Sequence, residues 1–262
     1  MQTDKVISHI VQWLKDYAAE AGMKGFVVGI SGGVDSAVVS ALCAKTGMRT
    51  LCLELPIHQS TSEVTRAQGH IADLKKKFAN VTDLQVDLTQ VFEQFKTAVP
   101  RAEASENRSL SLANTRARLR MTSLYYFAGL HGLLVAGTGN KIEDFGVGFF
   151  TKYGDGGVDI SPLADLVKSE VYELAAALEV SEDIRVAAPT DGLFGDSRSD
   201  EDQIGASYDE LEWAMEQAAA GKNADDFGGR ESEVMAIYES RHKANRHKMV
   251  PIPVCEIPVH LK

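Results

Sequence analysis

The sequence predicts an α/β protein with an open, doubly wound, Rossmann-like parallel sheet that carries helices on both faces. Three observations favour this class. Short, continuously apolar runs alternate with longer stretches of helical periodicity, and a glycine-rich turn directly follows the first apolar run. The chain of 262 residues also suits one core of this kind. We therefore expect a single domain over residues 1–262.

The alternation begins at the N-terminus. Apolar residues recur at helical spacing over 3–21 and predict an amphipathic helix. The run GFVVGI at 25–30 is continuously apolar, which is typical of a strand buried on both faces of a parallel sheet. Helical spacing resumes at 36–46, and a second strand, TLCLEL at 50–55, is closed by Pro56.

The same pattern continues through the middle of the chain. Helices are predicted at 60–79, 88–98 and 107–130. Strands are predicted within 80–88 and at 132–140, where the strand ends in glycine turns. Together with the first two strands, these elements predict a sheet of at least four parallel strands joined by helical crossovers.

The last part of the chain is different in character. Residues 145–162, FGVGFFTKYGDGGVDISP, form a loop rich in glycine and aspartate. Helical character returns at 166–179, 207–219 and 231–246. The acidic stretch GDSRSDED at 195–202 is predicted to be a mobile surface loop.

Composition narrows the classes of partner and compartment. A net charge of −10 argues against nucleic acid as a main partner, because such proteins usually carry a basic face. The three cysteines are far apart and form no CxxC pair, which predicts a reducing compartment without a zinc site. There is no signal-like N-terminus and no apolar run of 18 residues, so we expect a cytoplasmic protein that does not enter a membrane.

One motif dominates the first half of the chain. It follows the first predicted strand, opens a helix, and consists of Gly29, Ile30, Ser31, Gly32, Gly33, Val34, Asp35 and Ser36. Paired glycines allow the backbone to approach an anion, and the helix directs free N–H groups at the same point. Asp35 would repel a phosphate unless a cation lay between them, and Mg²⁺ prefers such a combination of ligands. The alternative is a plain glycine turn before a crossover helix.

Two other nucleotide motifs are absent from this position. A Walker A loop would read GxxxxGK[ST], and a dinucleotide fingerprint would read GxGxxG. The segment SGGVDS instead resembles the pyrophosphate-binding loop of the N-type ATP pyrophosphatases, which cleave ATP between the α- and β-phosphates and transfer AMP to a substrate oxygen.

Later segments resemble one branch of that group, the ammonia-dependent NAD synthetase family. They are NTRARLRM at 114–121, GTGNKIE at 137–143 and GFFTKYGDGGVDISPL at 148–163. The resemblance covers most of the chain in order. It implies an adenine nucleotide alpha hydrolase-like fold and ATP-dependent amidation of deamido-NAD by ammonia, with ATP as co-substrate and Mg²⁺ as cofactor.

The resemblance also assigns roles to individual residues. It implies Mg²⁺ ligation by Asp35 and Glu143, and ATP contacts by the glycine loop together with Thr138, Lys168 and Thr190. By its residue type, Glu143 alone would be interpreted as a surface helix residue, and Lys168 as a solvated helix lysine. Lys168 is also expected to stabilise charge at the α-phosphorus, because the chain has no other lysine near its phosphate loop.

A second set of residues is implied for deamido-NAD and ammonia. The deamido-NAD contacts are Arg118, Lys152, Asp159, His247 and Lys248. Asp155 is suited to hold ammonium and accept a proton, although an aspartate between glycines is also typical of a turn. The earlier pair His242-Lys243 competes with His247-Lys248, and the Lys-x-x-Pro context favours the later pair.

The remaining expectations concern departures and partners. The loop between Glu143 and Lys152 is one residue longer than in some relatives, and the segment after Pro56 is less typical, so no adenine-pocket residue is assigned. The family resemblance implies a homodimer, through apolar helical positions that also suit a core: Leu119, Leu124, Tyr125 and Leu130. Ammonia is expected to be free or to come from a separate glutaminase, since the chain has no room for an amidotransferase domain. Segments 148–158 and 193–203 are candidate lids.

Two other functions stay open at this point. One is another ATP pyrophosphatase, such as a tRNA-thiolating enzyme, against which the acidic charge and the missing cysteine pairs count. The other is a non-catalytic nucleotide-binding module, which would have no reason to keep both Asp35 and Glu143.

Overall fold

The computed structural model describes residues 1–100, 105–190 and 199–262. Its sheet has four parallel strands in the order β3-β2-β1-β4. The strands are β1 Gly25–Gly29, β2 Arg49–Glu54, β3 Val81–Gln85 and β4 Leu134–Val135. The chain therefore adds strands first on one side of β1 and then returns to its other side, which is the doubly wound arrangement predicted from the sequence.

Helices connect and cover these strands. Those before β4 are α1 Thr3–Glu20, α2 Val34–Lys45, α3 Thr61–Lys77, α4 Thr89–Ala98 and α5 Glu106–His131. Those after it are α6 Lys168–Ala177, α7 Glu182–Arg185, α8 Asp200–Ile204, α9 Tyr208–Ala219 and α10 Gly229–Met249. A π-helix covers Ile142–Val147, and short 3₁₀ turns cover Ala224–Asp226 and Val259–Leu261. In the described part of the chain, no helix combines the length and apolar character needed to cross a bilayer.

The two faces of the sheet bury different side chains of the same strand. Phe26 and Val28 of β1 join one core cluster with α1, α2 and α6, whereas Val27 joins a second cluster with α4 and α5. All three side chains are fully buried. This alternation explains why the strand reads as a continuous apolar run, since both faces of a doubly wound sheet are covered.

A third core cluster lies beyond the sheet. It joins the π-helix, α8, α9 and α10 through buried residues such as Ile142, Leu211 and Met235. The cluster brings the C-terminal helices against the segment that follows β4, and this contact positions part of the site described below.

Two expectations need correction. Residues 199–202 of the acidic stretch are not a loop, because Ser199 caps α8 and Asp200 is buried within it. Residues 195–198, and with them most of the proposed 193–203 lid, lie outside the described residues. The fourth strand ends at the expected glycine turn, but its paired part is short: β4 covers Leu134–Val135, and one further bridge joins Ala136 to Ile160.

Candidate active site

A cavity of about 290 Å³ opens at the carboxyl ends of β1, β2 and β4. The loops after β1 and β4 line it together, so it lies at the point where the strand order reverses. Open α/β sheets bind ligands at such a point, because the loops on either side diverge. The part of the cavity wall predicted from the sequence consists of Gly29, Ile30, Ser31, Gly33, Val34, Asp35, Ser36, Thr138, Glu143, Asp155, Lys168 and Thr190.

The loop after β1 is held by its own hydroxyl groups. Ser36 Oγ donates to the Gly33 carbonyl at 3.0 Å and lies 3.1 Å from Ser31 Oγ, which accepts from the Gly33 N–H at 3.2 Å. Gly33 is the N-cap of α2 and has no side chain to cap the helix. The first N–H groups of α2 are therefore directed at the cavity without a side-chain acceptor, which suits an anionic ligand.

Gly32 does not line the cavity, but it determines how the loop packs. Its φ is +86°, and a Cβ there would lie 2.5 Å from the Glu63 carbonyl of α3. Arg66, also on α3, donates from Nε to the Gly32 carbonyl at 3.1 Å. The glycine is required because the turn needs a left-handed conformation and a close approach to the neighbouring helix.

Asp35, Glu143 and Lys168 meet in the cavity wall. Lys168 Nζ lies 2.7 Å from Asp35 Oδ2 and 3.1 Å from Glu143 Oε1, and the residue is 3% exposed. Burial lowers the pKa of Lys168, but the two carboxylates raise it, and the net shift is upward. The lysine is therefore a permanent cation at neutral pH, held between two acids that are 108 residues apart in the sequence (143 − 35 = 108).

Two neutral side chains support this group, and neither was singled out from the sequence. Asn140 is fully buried; its Nδ2 donates to Asp35 Oδ1 at 3.3 Å, and its Oδ1 accepts the N–H of Glu143 at 3.1 Å. Tyr208 donates its hydroxyl to Glu143 Oε1 at 2.6 Å. Asn140 lies within the segment GTGNKIE, where nothing in its residue type points to a role in a site. Tyr208 follows a helix cap far along the chain, outside the segments that carry the family resemblance.

The cavity wall carries an excess of negative charge. Burial, and then the carboxylates of Glu143, Asp155 and Asp35, raise the pKa of Asp144 to about 8. Asp155 Oδ1 accepts the N–H of Thr151 at 3.0 Å, as an aspartate in a turn often does. Both interpretations of Asp155 from the sequence are thus compatible, since the turn directs the residue to the cavity.

The electrostatics bear on the expected Mg²⁺ site. No group of three or more His, Cys, Asp or Glu side chains is arranged to hold a metal ion within residues 1–100, 105–190 and 199–262. Asp35 and Glu143 nevertheless contact the same ammonium, so both carboxylates are within reach of one cation. A phosphate-bound ion that needs one or two protein carboxylates fits this donor set.

Thr138 and Thr190 flank the cavity from two sides. Thr138 lies in the turn after β4, and Thr190 donates its hydroxyl to Glu63 Oε1 at 3.2 Å. Arg120 also lines the cavity, where it donates to the Leu55 carbonyl at 3.0 Å. Arg118, the arginine that the family resemblance implies as a substrate contact, does not line the cavity. Residues two apart on a helix point to different sides, which explains why only one of the two arginines faces it.

The residues predicted to contact deamido-NAD lie outside the cavity wall. Arg118 is exposed and donates to the Lys152 carbonyl at 3.3 Å, and Lys152 Nζ donates to the His247 carbonyl at 2.8 Å. Lys248 Nζ donates to the Phe150 carbonyl at 2.6 Å and also to the Gly148 carbonyl. The C-terminal end of α10 is thereby fastened to the loop at 148–158.

Asp159 has a different environment from the other four. Its carboxylate accepts the Val135 N–H at 2.8 Å and the Tyr125 hydroxyl at 3.0 Å. These bonds tie the loop to the edge of β4. The competing residue His242 packs against Tyr238 and contacts the Gly146 carbonyl at 2.7 Å, whereas Lys243 is exposed.

Comparison with known proteins agrees with this geometry. The family model for NAD synthase matches residues 6–251. The chain is 35% identical over 249 residues to the NH(3)-dependent NAD(+) synthetase of Mesoplasma florum, with 95% of each chain covered. It is 36% identical over 265 residues to that of Syntrophomonas wolfei, with 100% of each covered.

Solved structures share the fold over nearly the whole chain. An NMN synthetase from Francisella tularensis has a TM-score of 0.83 and 30% identity, with 99% of each chain covered. An NH3-dependent NAD synthetase from Campylobacter jejuni has a TM-score of 0.77 at 24% identity, with 98% of this chain and 100% of that chain covered. The family match spans the glycine loop, the paired carboxylates and the C-terminal helices, and this chain belongs to the NAD synthase family.

Proposed function

We propose that this chain catalyses the ATP-dependent amidation of deamido-NAD by ammonia, giving NAD, AMP and pyrophosphate. The observation that carries the proposal is the convergence of Asp35, Glu143 and Lys168 beside the uncapped N-terminus of α2, at the switch point of the sheet. Such an arrangement matches a leaving polyphosphate, because N–H groups and a buried cation face the same volume.

The first step activates the carboxylate. The nicotinate carboxylate of deamido-NAD attacks the α-phosphorus of ATP, the bond to the β-phosphate oxygen breaks, and an acyl adenylate and pyrophosphate result. Lys168 and the N–H groups of α2 stabilise the charge that develops on the phosphates. Asp35 and Glu143 would hold Mg²⁺, which supplies charge neutralisation at the phosphates when bound.

The second step forms the amide. Ammonia attacks the acyl carbon of the adenylate, and AMP leaves with its electron pair. The attacking nitrogen must lose a proton. Asp155 lines the cavity, and its carboxylate accepts that proton. Phe149 and Phe150 line the same wall and help to keep water from the adenylate, which would otherwise hydrolyse.

We also propose that the active form is a homodimer. Tyr126 and Leu130 of α5 are 64% and 60% exposed, while Leu119 and Leu124 of the same helix pack into the core. Exposed apolar side chains on one long helix favour association with a second copy. Light scattering on the purified chain should give about twice the monomer mass of 28.4 kDa. The cytoplasmic location stays a prediction from the sequence.

A second candidate function uses a smaller substrate. The structure named as an NMN synthetase resembles this chain at 30% identity over 99% of both chains. Amidation of nicotinate mononucleotide is a reaction that would give NMN. Nicotinate mononucleotide has the same reacting carboxylate as deamido-NAD and lacks only the adenylate half. Cavity residues that act on the carboxylate would serve both reactions, so the two candidates differ in substrate binding alone.

One assay separates these possibilities. The protein is incubated with ATP, Mg²⁺ and ammonium, and with either deamido-NAD or nicotinate mononucleotide, and products are quantified by chromatography. We expect NAD with stoichiometric AMP and pyrophosphate from deamido-NAD, at a higher kcat/KM than for the mononucleotide. The reverse preference would establish the second candidate. ADP as product, or ATP cleavage that ignores both substrates, would refute both, and Asp35→Ala serves as the inactive control.

A further inference from the structure

Tyr208 contacts both charged partners of the cavity's central ion group. It is the first residue of α9 and is 5% exposed. Its hydroxyl donates to Glu143 Oε1 at 2.6 Å, and its ring centroid lies 4.7 Å from Lys168 Nζ. The hydroxyl of Tyr208 thus binds the carboxylate of Glu143, and its ring packs against the ammonium of Lys168. These two charged groups also contact each other at 3.1 Å.

Each contact restrains one side chain of the ion pair: the hydroxyl restrains the carboxylate of Glu143, and the ring restrains the ammonium of Lys168. Glu143 lies in the π-helix and is anchored at its backbone by Asn140, but its carboxylate can rotate. Two donors on one oxygen, Lys168 Nζ and the Tyr208 hydroxyl, fix that rotation. The ring face beneath Lys168 favours its ammonium in this position without adding a third negative charge.

The position of Tyr208 in the fold links the site to the third core cluster. The Tyr208 N–H donates to Glu201 of α8 at 2.9 Å, and its side chain belongs to the cluster of α9 and α10. The hydroxyl also lies 3.4 Å from Asp200 Oδ2. Tyr208 therefore connects the C-terminal helices to the phosphate end of the cavity, where Asp200 of α8 also forms part of the wall. The same helices reach the loop at 148–158 through α10.

We propose that Tyr208 is a positioning residue for the reaction, which sets the carboxylate of Glu143 and the ammonium of Lys168 in the geometry that stabilises the departing pyrophosphate. The inference rests on the proposed function. It predicts that loss of the hydroxyl reduces the chemical step and not the binding of ATP, because Tyr208 acts through residues that stabilise developing charge.

Tyr208→Phe tests this, with Tyr238→Phe as matched control. Tyr238 lies in the same core cluster and is 6% exposed, and no hydrogen bond joins its hydroxyl to the described part of the chain. For Tyr208→Phe we expect kcat to fall about tenfold, with the KM for ATP within about twofold of wild type. The Mg²⁺ concentration for half-maximal rate should rise, because Glu143 is less well oriented. Tyr238→Phe should change neither quantity.

Melting temperatures are measured for all variants, and Tyr208→Met replaces Tyr208→Phe if the latter does not fold. Wild-type kcat and Mg²⁺ dependence in Tyr208→Phe would overturn the inference, as would an equal fall in kcat for Tyr238→Phe. Failure of the wild type to amidate either nucleotide would instead refute the proposed function. If the wild type prefers nicotinate mononucleotide, the same comparison is made with that substrate.

Discussion

Lys168 illustrates how a single side chain depends on its surroundings. It is the first residue of α6, where the helix dipole disfavours a cation, and it is buried, which disfavours any charge. The carboxylates of Asp35 and Glu143 more than compensate, since its pKa shifts upward. A cation that is retained despite burial and despite its position at a helix N-terminus is consistent with the proposed role in charge stabilisation.

Lys168→Met should therefore abolish most of the activity. We expect kcat to fall roughly a hundredfold or more, because the developing phosphate charge loses its buried cation. Lys141→Met is the control, since Lys141 pairs with Asp165, whose carboxylate is 97% exposed. Initial rates of AMP formation measure both, and a Lys168→Met rate close to that of Lys141→Met would contradict the role of Lys168.

At the scale of elements, the phosphate loop depends on the packing of α2 against α3. Gly32 approaches the backbone of α3, and Ser40 of α2 lies 2.9 Å from His70 Nε2 of α3 in a buried contact. The loop is thus held in place by two helices that cover the same face of the sheet. Changes at this helix pair should alter stability and ATP binding together.

Two glycine substitutions in this region should have opposite effects. Gly32→Ala places a Cβ 2.5 Å from the Glu63 carbonyl at a φ of +86°, and should destabilise the protein by about 1–3 kcal/mol. Gly69→Ala, in the middle of α3 with nothing within 4 Å, should stabilise it by up to about 1 kcal/mol. Urea denaturation measures both free energies of unfolding. Equal effects would show that the loop tolerates a side chain at Gly32.

The contact between α2 and α3 also predicts a dependence on pH. Burial lowers the pKa of His70 from 6.5 to about 4. Between about pH 6.5 and pH 4, His70 is therefore protonated in the unfolded chain but neutral in the folded chain. The contribution of neutral His70 to the free energy of unfolding is fully present above about pH 6.5 and is lost as the pH falls towards 4. Between pH 7.5 and 5 the loss should be about 2 kcal/mol.

His70→Leu should remove this part of the pH dependence, because leucine does not titrate. The Ser40 hydroxyl still has an acceptor in this variant, the Ser36 carbonyl at 2.7 Å. His9→Asn, at an exposed position of α1, should leave the dependence as in wild type. Denaturation curves at both pH values provide the comparison. A His70→Leu protein that loses as much stability as wild type on acidification would rule out His70 as the cause.

At the scale of the whole molecule, α10 joins the two ends of the site. Its residues His247 and Lys248 contact the loop at 148–158, and its buried face packs on the π-helix that carries Glu143. The loop therefore depends on a helix from the far end of the sequence. Residues proposed to bind deamido-NAD lie along this contact, away from the phosphate end of the cavity.

This separation predicts an effect on one substrate only. Lys152→Ala should raise the KM for deamido-NAD about tenfold and leave the KM for ATP nearly unchanged, because Lys152 does not line the cavity. Lys243→Ala, on the exposed side of α10, is the control and also tests the competing His242-Lys243 pair. Steady-state kinetics with each substrate varied in turn give both constants. A tenfold effect in Lys243→Ala would favour the earlier pair.

Local pattern was enough to predict most elements. β1, α2 and α5 lie within a few residues of the predicted ranges, since a buried parallel strand and a long helix each have a strong periodic signature. The π-helix at Ile142–Val147 was not predicted, because no residue pattern distinguishes it from a loop. The short α8 differs from the predicted loop, because acidic residues like those of this helix are typical of exposed segments.

The order of residues alone was sufficient to predict the fold class, the glycine loop at a strand's carboxyl end and, through resemblance, the family. The three-dimensional packing was needed to see that Asp35 and Glu143 share the ammonium of Lys168, and that Asn140 and Tyr208 hold them there. The packing also shows that Arg120 and not Arg118 lines the cavity. Periodicity and turn chemistry act between near neighbours in the chain. A buried charge, by contrast, requires partners brought from distant segments by the packing of the sheet and its helices.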